Sequence, residues 1–176
     1  MFMMAAKNIM AEHARMGKTP AQILQAANKT LCINNKENMF VTVWVGILQI
    51  STGILTAASA GHEYPAIKAS GGGFQIFQDE HGFPLGWFDT TEYEEYELHL
   101  ASGSMLFTYT DGVTEAMDAK EQMFGAERML TALNQKEHKK PEEVLESVRL
   151  GVSEFVQEAE QFDDLTMLCL VYYKST

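Results

Sequence analysis

At residue 39 the apolar spacing of this chain changes. Upstream, Phe2, Ala5, Ala6, Ile9, Met10 and His13 recur three and four residues apart with no Gly or Pro among them, the signature of a helix. Downstream, residues 39–50 (MFVTVWVGILQI) are rich in β-branched and aromatic side chains, as a strand requires. The change happens once, and helix returns only late. That order segregates helices from strands and predicts an α+β fold rather than alternating βαβ units.

The first helix stops at Met16-Gly17-Lys18 and has no capping residue ahead of it. The second opens with Thr19 as cap, Pro20 in the first helical position and Gln22 placed to reach back, and its apolar face is Ile23, Leu24, Ala27 and Leu31. Ser51-Thr52-Gly53 turns the strand of residues 39–50 into a partner at 54–60, and Gly71-Gly72-Gly73 joins a second hairpin, 66–69 with 74–78. Tyr96, Leu98 and Leu100 alternate with Glu95, Glu97 and His99, giving a strand with one wet face, and the acidic run 92–97 reads as solvated. Residues 105–110 form a compact apolar strand that ends at Asp111-Gly112. Helices follow over 124–133 and from Pro141, the latter with the stripe Val144, Leu145, Val148, Val152, Phe155 and Val156. Residues 165–173 are almost continuously apolar and are expected to lie centrally in a sheet. No repeat or linker divides the chain, so residues 1–176 are expected to form one domain.

Charge narrows the function. Thirteen Lys and Arg against 24 Asp and Glu leave a net charge of -11, unsuited to nucleic acid or to an anionic membrane surface. No apolar run approaches the ~20 residues that cross a bilayer. Cys32 and Cys169 lack zinc-ligand spacing and read as core residues, and a cytoplasmic setting is the expectation.

Two segments place carboxylates where chemistry is possible. Thr110-Asp111-Gly112-Val113-Thr114-Glu115-Ala116 ends an apolar strand on an aspartate, and Gln161-Phe162-Asp163-Asp164-Leu165-Thr166 sets two more just before another. Taken alone, each also reads as an ordinary strand-end turn or solvated loop. Together, two strands so arranged can bring carboxylates to one point, where they repel unless a hard cation such as Mg²⁺ or Mn²⁺ sits between them.

These two segments resemble the last two signature motifs of metal-dependent protein phosphatases, the protein phosphatase 2C-like family, and within it the bacterial stage II sporulation protein E type. Met39-Phe40-Val41-Thr42, Ser59-Ala60-Gly61-His62, Pro84-Leu85-Gly86 and Phe124-Gly125-Ala126-Glu127-Arg128 match in order as well. The resemblance implies an antiparallel β-sandwich flanked by helices, and hydrolysis of phosphoserine or phosphothreonine on a regulatory protein of the anti-anti-sigma type. By the same resemblance Asp111 and Asp163 are metal ligands for Mn²⁺ or Mg²⁺, and Thr114, Glu115 and Asp164 are candidates for orienting them. His62 falls in a family motif but reads as a hydrogen-bonded structural residue.

The chain departs from the family at its N-terminus. Complete domains begin with strands carrying Gly-Gly-Asp-Phe-type and Asp-x-x-Gly-type motifs that supply further metal-binding aspartates, and neither stands ahead of the first helix here. The resemblance therefore implies an N-terminally truncated domain with little or no activity by itself; the alternative is a non-catalytic module that binds a phosphoregulator or its own kind. Strands 39–50 and 165–173 are expected to present open edges, with Phe2, Ile9, Trp44 and Val171 bared, and to favour a homodimer.

Overall fold

The computed structural model describes residues 2–33, 35–157 and 164–174. In chain order the elements are α1 (Phe2–Arg15), α2 (Pro20–Ile33), β1 (Val43–Gln49), β2 (Ile54–Ala60), β3 (Ala66–Lys68), β4 (Phe74–Ile76), β5 (Tyr96–His99), β6 (Met105–Tyr109), α3 (Asp111–Thr114), α4 (Gly125–Asn134), α5 (Pro141–Val156) and β7 (Met167–Val171). They form two antiparallel sheets plus helices, the α+β arrangement expected from the sequence. The chain folds as two compact units, residues 1–62 with 79–99, and residues 63–78 with 100–176. Among the described residues no helix is long and apolar enough to cross a membrane.

The first unit holds α1, α2 and the sheet β1-β2-β5. The capping expected at α2 forms: the Thr19 amide donates to Gln22 Oε1 at 3.2 Å. A second cap comes from far along the chain, because Glu95 Oε1 accepts the Ala21 amide at 3.0 Å. Glu95 thus satisfies an orphan N–H and sits at the positive end of the helix dipole. The acidic run 92–97 is therefore not wholly a solvated face. Leu24, Ala27 and Leu31 pack with Ala6, Ala58, Ala60, Leu85 and Tyr93. β2 is buried on both faces at Ala57, Ala58, Ser59 and Ala60, small residues that suit the middle of a sheet with a helix close above it.

The long strand expected at residues 39–50 is regular only from Val43 to Gln49; residue 41 instead makes an isolated antiparallel bridge to Leu85. Within β1 the Trp44 ring lies over Gly46, where a Cβ would come within 2.5 Å of it. Glycine in a strand marks this kind of close approach. The Trp44 indole N–H donates to the Tyr96 hydroxyl at 2.7 Å. Trp44 is consequently half-buried rather than bare, and so are Phe2, Ile9 and Val171, each packed against its own core.

The second unit holds the sheet β4-β3-β6-β7 with α3, α4 and α5. Its core is Phe107, Val113, Phe124, Met129, Leu133, Val144 and Val148, all but sealed from solvent. The α5 stripe read from the sequence is the buried one. At its middle Gly151 admits the Ala132 methyl of α4, and Ser147 Oγ donates to the Ala132 carbonyl at 2.8 Å. β7 departs from expectation. It ends the sheet order, and Leu168 is 55% exposed. A continuous apolar run reports that both faces of a strand suit burial; its rank in the sheet depends on which other strands are present, and β3 and β6 are the inner ones here.

Candidate functional site

Three of the six motif strings lie in the second unit and meet around the end of β6. Tyr109 pairs with Met167 in the last register position of the β6–β7 ladder. The next residue, Thr110, continues the pairing by other means. Its amide donates to the Thr166 carbonyl at 3.0 Å, its hydroxyl donates to the Asp164 carbonyl at 3.3 Å, and the hydroxyl oxygen accepts the Thr166 amide at 3.3 Å. Thr110 is therefore a strap that fastens residues 164–166 beside the start of α3.

Asp111 opens α3 with its side chain exposed, and one carboxylate oxygen accepts the Gly112 amide at 3.0 Å. Gly112 and Val113 are buried and anchor the turn beneath it. Thr114 Oγ1 donates to the Asp111 carbonyl at 3.2 Å, and the Glu115 amide donates to the same oxygen at 2.8 Å. Both thus meet the backbone carbonyl of Asp111 and brace the turn that carries its carboxylate. Asp164 is held through its carbonyl by Thr110, with its side chain exposed. Asp163 lies outside the described residues. Among the described residues no three Asp, Glu, His or Cys side chains converge closely enough to hold a metal ion.

Three supporting contacts were not legible in the motifs. Tyr109 stacks on Phe107 with ring centroids 5.6 Å apart, and burial, with the Glu63 carboxylate beside the phenol, pushes its pKa well above the ordinary tyrosine value. It stays protonated under the sheet end that carries Asp111. The motif at 124–128 closes the unit from the other side: the Phe124 amide donates to the Ala116 carbonyl at 2.8 Å, and the Arg128 guanidinium lies 4.7 Å from the centre of the Phe155 ring.

The other three strings converge in the first unit. Val41 and Leu85 exchange backbone hydrogen bonds at 3.1 and 2.9 Å, and the Gly82 amide donates to the Ser59 carbonyl at 3.1 Å. His62 Nδ1 lies 3.2 Å from Thr42 Oγ1, a hydrogen bond in keeping with a structural histidine. Gly86 adopts φ +90, and a Cβ there would stand 2.8 Å from the Met39 carbonyl, so the position requires glycine. Two asparagines hold it. Asn28 Oδ1 accepts the Gly86 amide at 2.8 Å while its Nδ2 donates to the Phe88 carbonyl at 2.7 Å, and Asn35 Nδ2 donates to the Gly86 carbonyl at 2.9 Å. Asn28 is fully buried. Its signal in the sequence is an amide set on the apolar face of α2, four residues after Leu24 and three before Leu31. Beside this clamp Phe40, Phe83, Trp87 and Phe88 form an exposed aromatic group with centroid spacings of 5.2 to 6.2 Å.

The chain is 30% identical over 132 residues to Protein IcfG of Synechocystis sp., covering 75% of this chain and 20% of that protein. It is 32% identical over 100 residues to the phosphoserine phosphatase RsbU of Bacillus subtilis, covering 56% of this chain and 30% of that one. It thus spans less than a third of the length of either curated relative. The phosphatase domain of the cell-fate determinant SpoIIE from Bacillus subtilis, in a structure presoaked with Mn, superposes with a TM-score of 0.68 at 15% identity over 97% of this chain and 74% of that one. The fold is therefore protein phosphatase 2C-like. Residues 1–173, a span that includes all six motif strings, match the stage II sporulation protein E (SpoIIE) family, and the chain belongs to that family.

Proposed function

We propose that this chain is part of a metal-dependent protein serine/threonine phosphatase that removes phosphate from phosphoserine or phosphothreonine of a bacterial regulatory protein, of the anti-anti-sigma type. The observation that carries the reading is the Thr110 strap, which fastens residues 164–166 of the final motif beside Asp111. The phosphoserine phosphatase name of RsbU supports the reaction class. The exposed aromatic group of the first unit suits a protein substrate, since apolar surface of this kind is ordinarily covered by a partner.

Asp111 and Asp163 are the residues assigned to Mn²⁺ or Mg²⁺, ions that lower the pKa of a bound water and offset charge on the phosphoryl group. One Asp111 oxygen already accepts the Gly112 amide, which fixes the carboxylate and leaves the other turned to its surroundings. The fit is incomplete. A hard divalent ion takes about six oxygens or more, and two aspartates supply too few to hold a pair of ions at fixed separation. With Mn²⁺ and a small aryl phosphate, turnover by the 176-residue chain is expected to fall more than about a hundredfold below that of a complete family member. Any residual release is expected to vanish in Asp111→Asn. Turnover near that of a complete member would overturn the incomplete-site reading.

The open β1 edge favours a second reading, a module that associates with its own kind. β1 ends its sheet, and Ile47 on it is 43% exposed. Such an edge is a template for pairing. Light scattering at micromolar concentration is expected to return the mass of a dimer; a stable monomer would refute self-association.

A further inference from the structure

The second unit carries a cavity of about 370 Å³ whose wall includes Lys68, Ser70, Gly71, Gly72, His138 and Lys139. It lies at the beginning of β6, with Met105 on its wall, whereas Asp111 follows the end of that strand. Six residues of roughly extended chain separate the two by about 20 Å. The cavity is therefore distinct from the candidate metal centre.

Lys68 has an unmet requirement there. Its residue is only 9% exposed, although it ends a strand held on both sides by β4 and β6. The ammonium has three protons to donate. One goes to the His138 carbonyl at 3.1 Å. The ion pairs among the described residues are His81 with Asp79 and Arg149 with Glu146, so among the described residues no carboxylate pairs with Lys68. A cation withdrawn from water without a counter-charge is costly, and an anion in the cavity would remove that cost.

His138 has a second. It is 2% exposed, and its ring nitrogens fall short of full hydrogen-bond geometry, with the Leu133 backbone as the polar group that acts on them. Burial, with Lys136 and Lys68 nearby, holds its pKa below the usual histidine value, so at neutral pH the ring is uncharged and keeps one N–H to give. Its carbonyl anchors Lys68, and the residue belongs to the wall of the same cavity. Lys139 adds a second positive charge to the wall and Glu137 the opposing one, so the lining is net basic in a chain of net charge -11.

The walls are fixed in advance. Asn134 Oδ1 accepts the Phe74 amide at 2.7 Å and its Nδ2 donates to the Phe74 carbonyl at 3.0 Å, which pins the turn at residues 69–73 to the end of α4. Gly71 takes φ +79 with open space where a Cβ would stand, and with Gly72 it forms part of the cavity wall. Lys68 without a carboxylate partner among the described residues, a neutral imidazole short of a full hydrogen bond, the Ser70 hydroxyl and a glycine turn together match a tetrahedral oxyanion.

We propose that this cavity binds a small phosphate-bearing anion, either free phosphate or the phosphate group of a small metabolite, through Lys68, His138 and Lys139. The test keeps the whole chain and removes divalent ions with a chelator, so that phosphate cannot bind through a metal. Inorganic phosphate and a nucleoside monophosphate are titrated separately against the labelled protein, with amide and imidazole resonances followed by NMR. Saturable shifts are expected at residues 70–72, 138 and 139, with Lys68→Met weakening the affinity about tenfold or more. Saturation by phosphate itself assigns the free ion; saturation by the nucleotide alone assigns a phosphomonoester. Lys139→Gln, at an exposed position, gives a second reading should Lys68→Met fail to fold, and is expected to weaken binding in the same sense. Shifts that never saturate, that are indifferent to both variants, or that centre on Asp111 would overturn the assignment.

Discussion

Phe107→Ala is expected to cost the second unit about 3–5 kcal/mol of stability, the range for emptying a large aromatic site in a packed core. Phe107 has no exposed surface and stands in the middle of β6, paired with Ala66 on one side and Cys169 on the other. A methyl group at Ala66 cannot grow into the space left behind, and Tyr109 loses the ring on which it stacks. The consequence passes along the strand, because β6 is the element that sets the position of Thr110 and Asp111. Urea unfolding is the measurement. Trp44 and Trp87 both belong to the first unit, so the signal is taken from hydrogen exchange of β6 and α5 amides or from near-ultraviolet circular dichroism rather than from tryptophan emission. A loss below about 1.5 kcal/mol would mean that the core closes over the gap.

Asn28→Ala is expected to cost about 2–4 kcal/mol, through a different mechanism. The substitution removes little volume, but it strands the Gly86 amide and the Phe88 carbonyl, both of which Asn28 satisfies from a site with no solvent access. Stranded buried groups retain their desolvation cost. Asn28→Leu separates this cause from simple shortening: it restores bulk but no hydrogen bonds, and is expected to be no better than alanine. Trp87 sits between the two residues that Asn28 holds, so its emission is expected to shift in both variants. An unaltered spectrum with full stability would show that Asn35 alone holds the loop.

Local signals carried most of the elements. Thr19, Pro20 and Gln22 marked the start of α2 because capping is written within four residues, and the two hairpins were marked by their glycine-containing turns. Asp111 was legible as a strand-end carboxylate for the same reason. The contacts that escaped notice span long stretches of chain. Glu95 caps a helix 74 residues away, Asn28 reaches a loop about sixty residues on, and nothing near either residue advertises its partner. Nothing near Lys68 in the sequence announces its burial, where its ammonium donates to a carbonyl 70 residues downstream. Thr114 reaches the Asp111 carbonyl with its hydroxyl and Glu115 with its own amide, a distinction of atoms that residue spacing does not carry.

The interleaving of the two units has a consequence for synthesis on the ribosome. The first unit is made of residues 1–62 and 79–99, so its hairpin β1–β2 is complete 36 residues before β5 begins at Tyr96. At about 5–20 residues per second that interval lasts on the order of seconds, during which β2 has one neighbour and a bare flank. A lone hairpin is only marginally stable in water. The all-small stretch Ala57-Ala58-Ser59-Ala60 is then the least adhesive surface that a waiting strand could offer. In the second unit β3 waits for β6, and β6 for β7. The order of translation thus closes the first unit before the second has more than its opening hairpin, and the emerging chain is most vulnerable at the strand least equipped to misassociate.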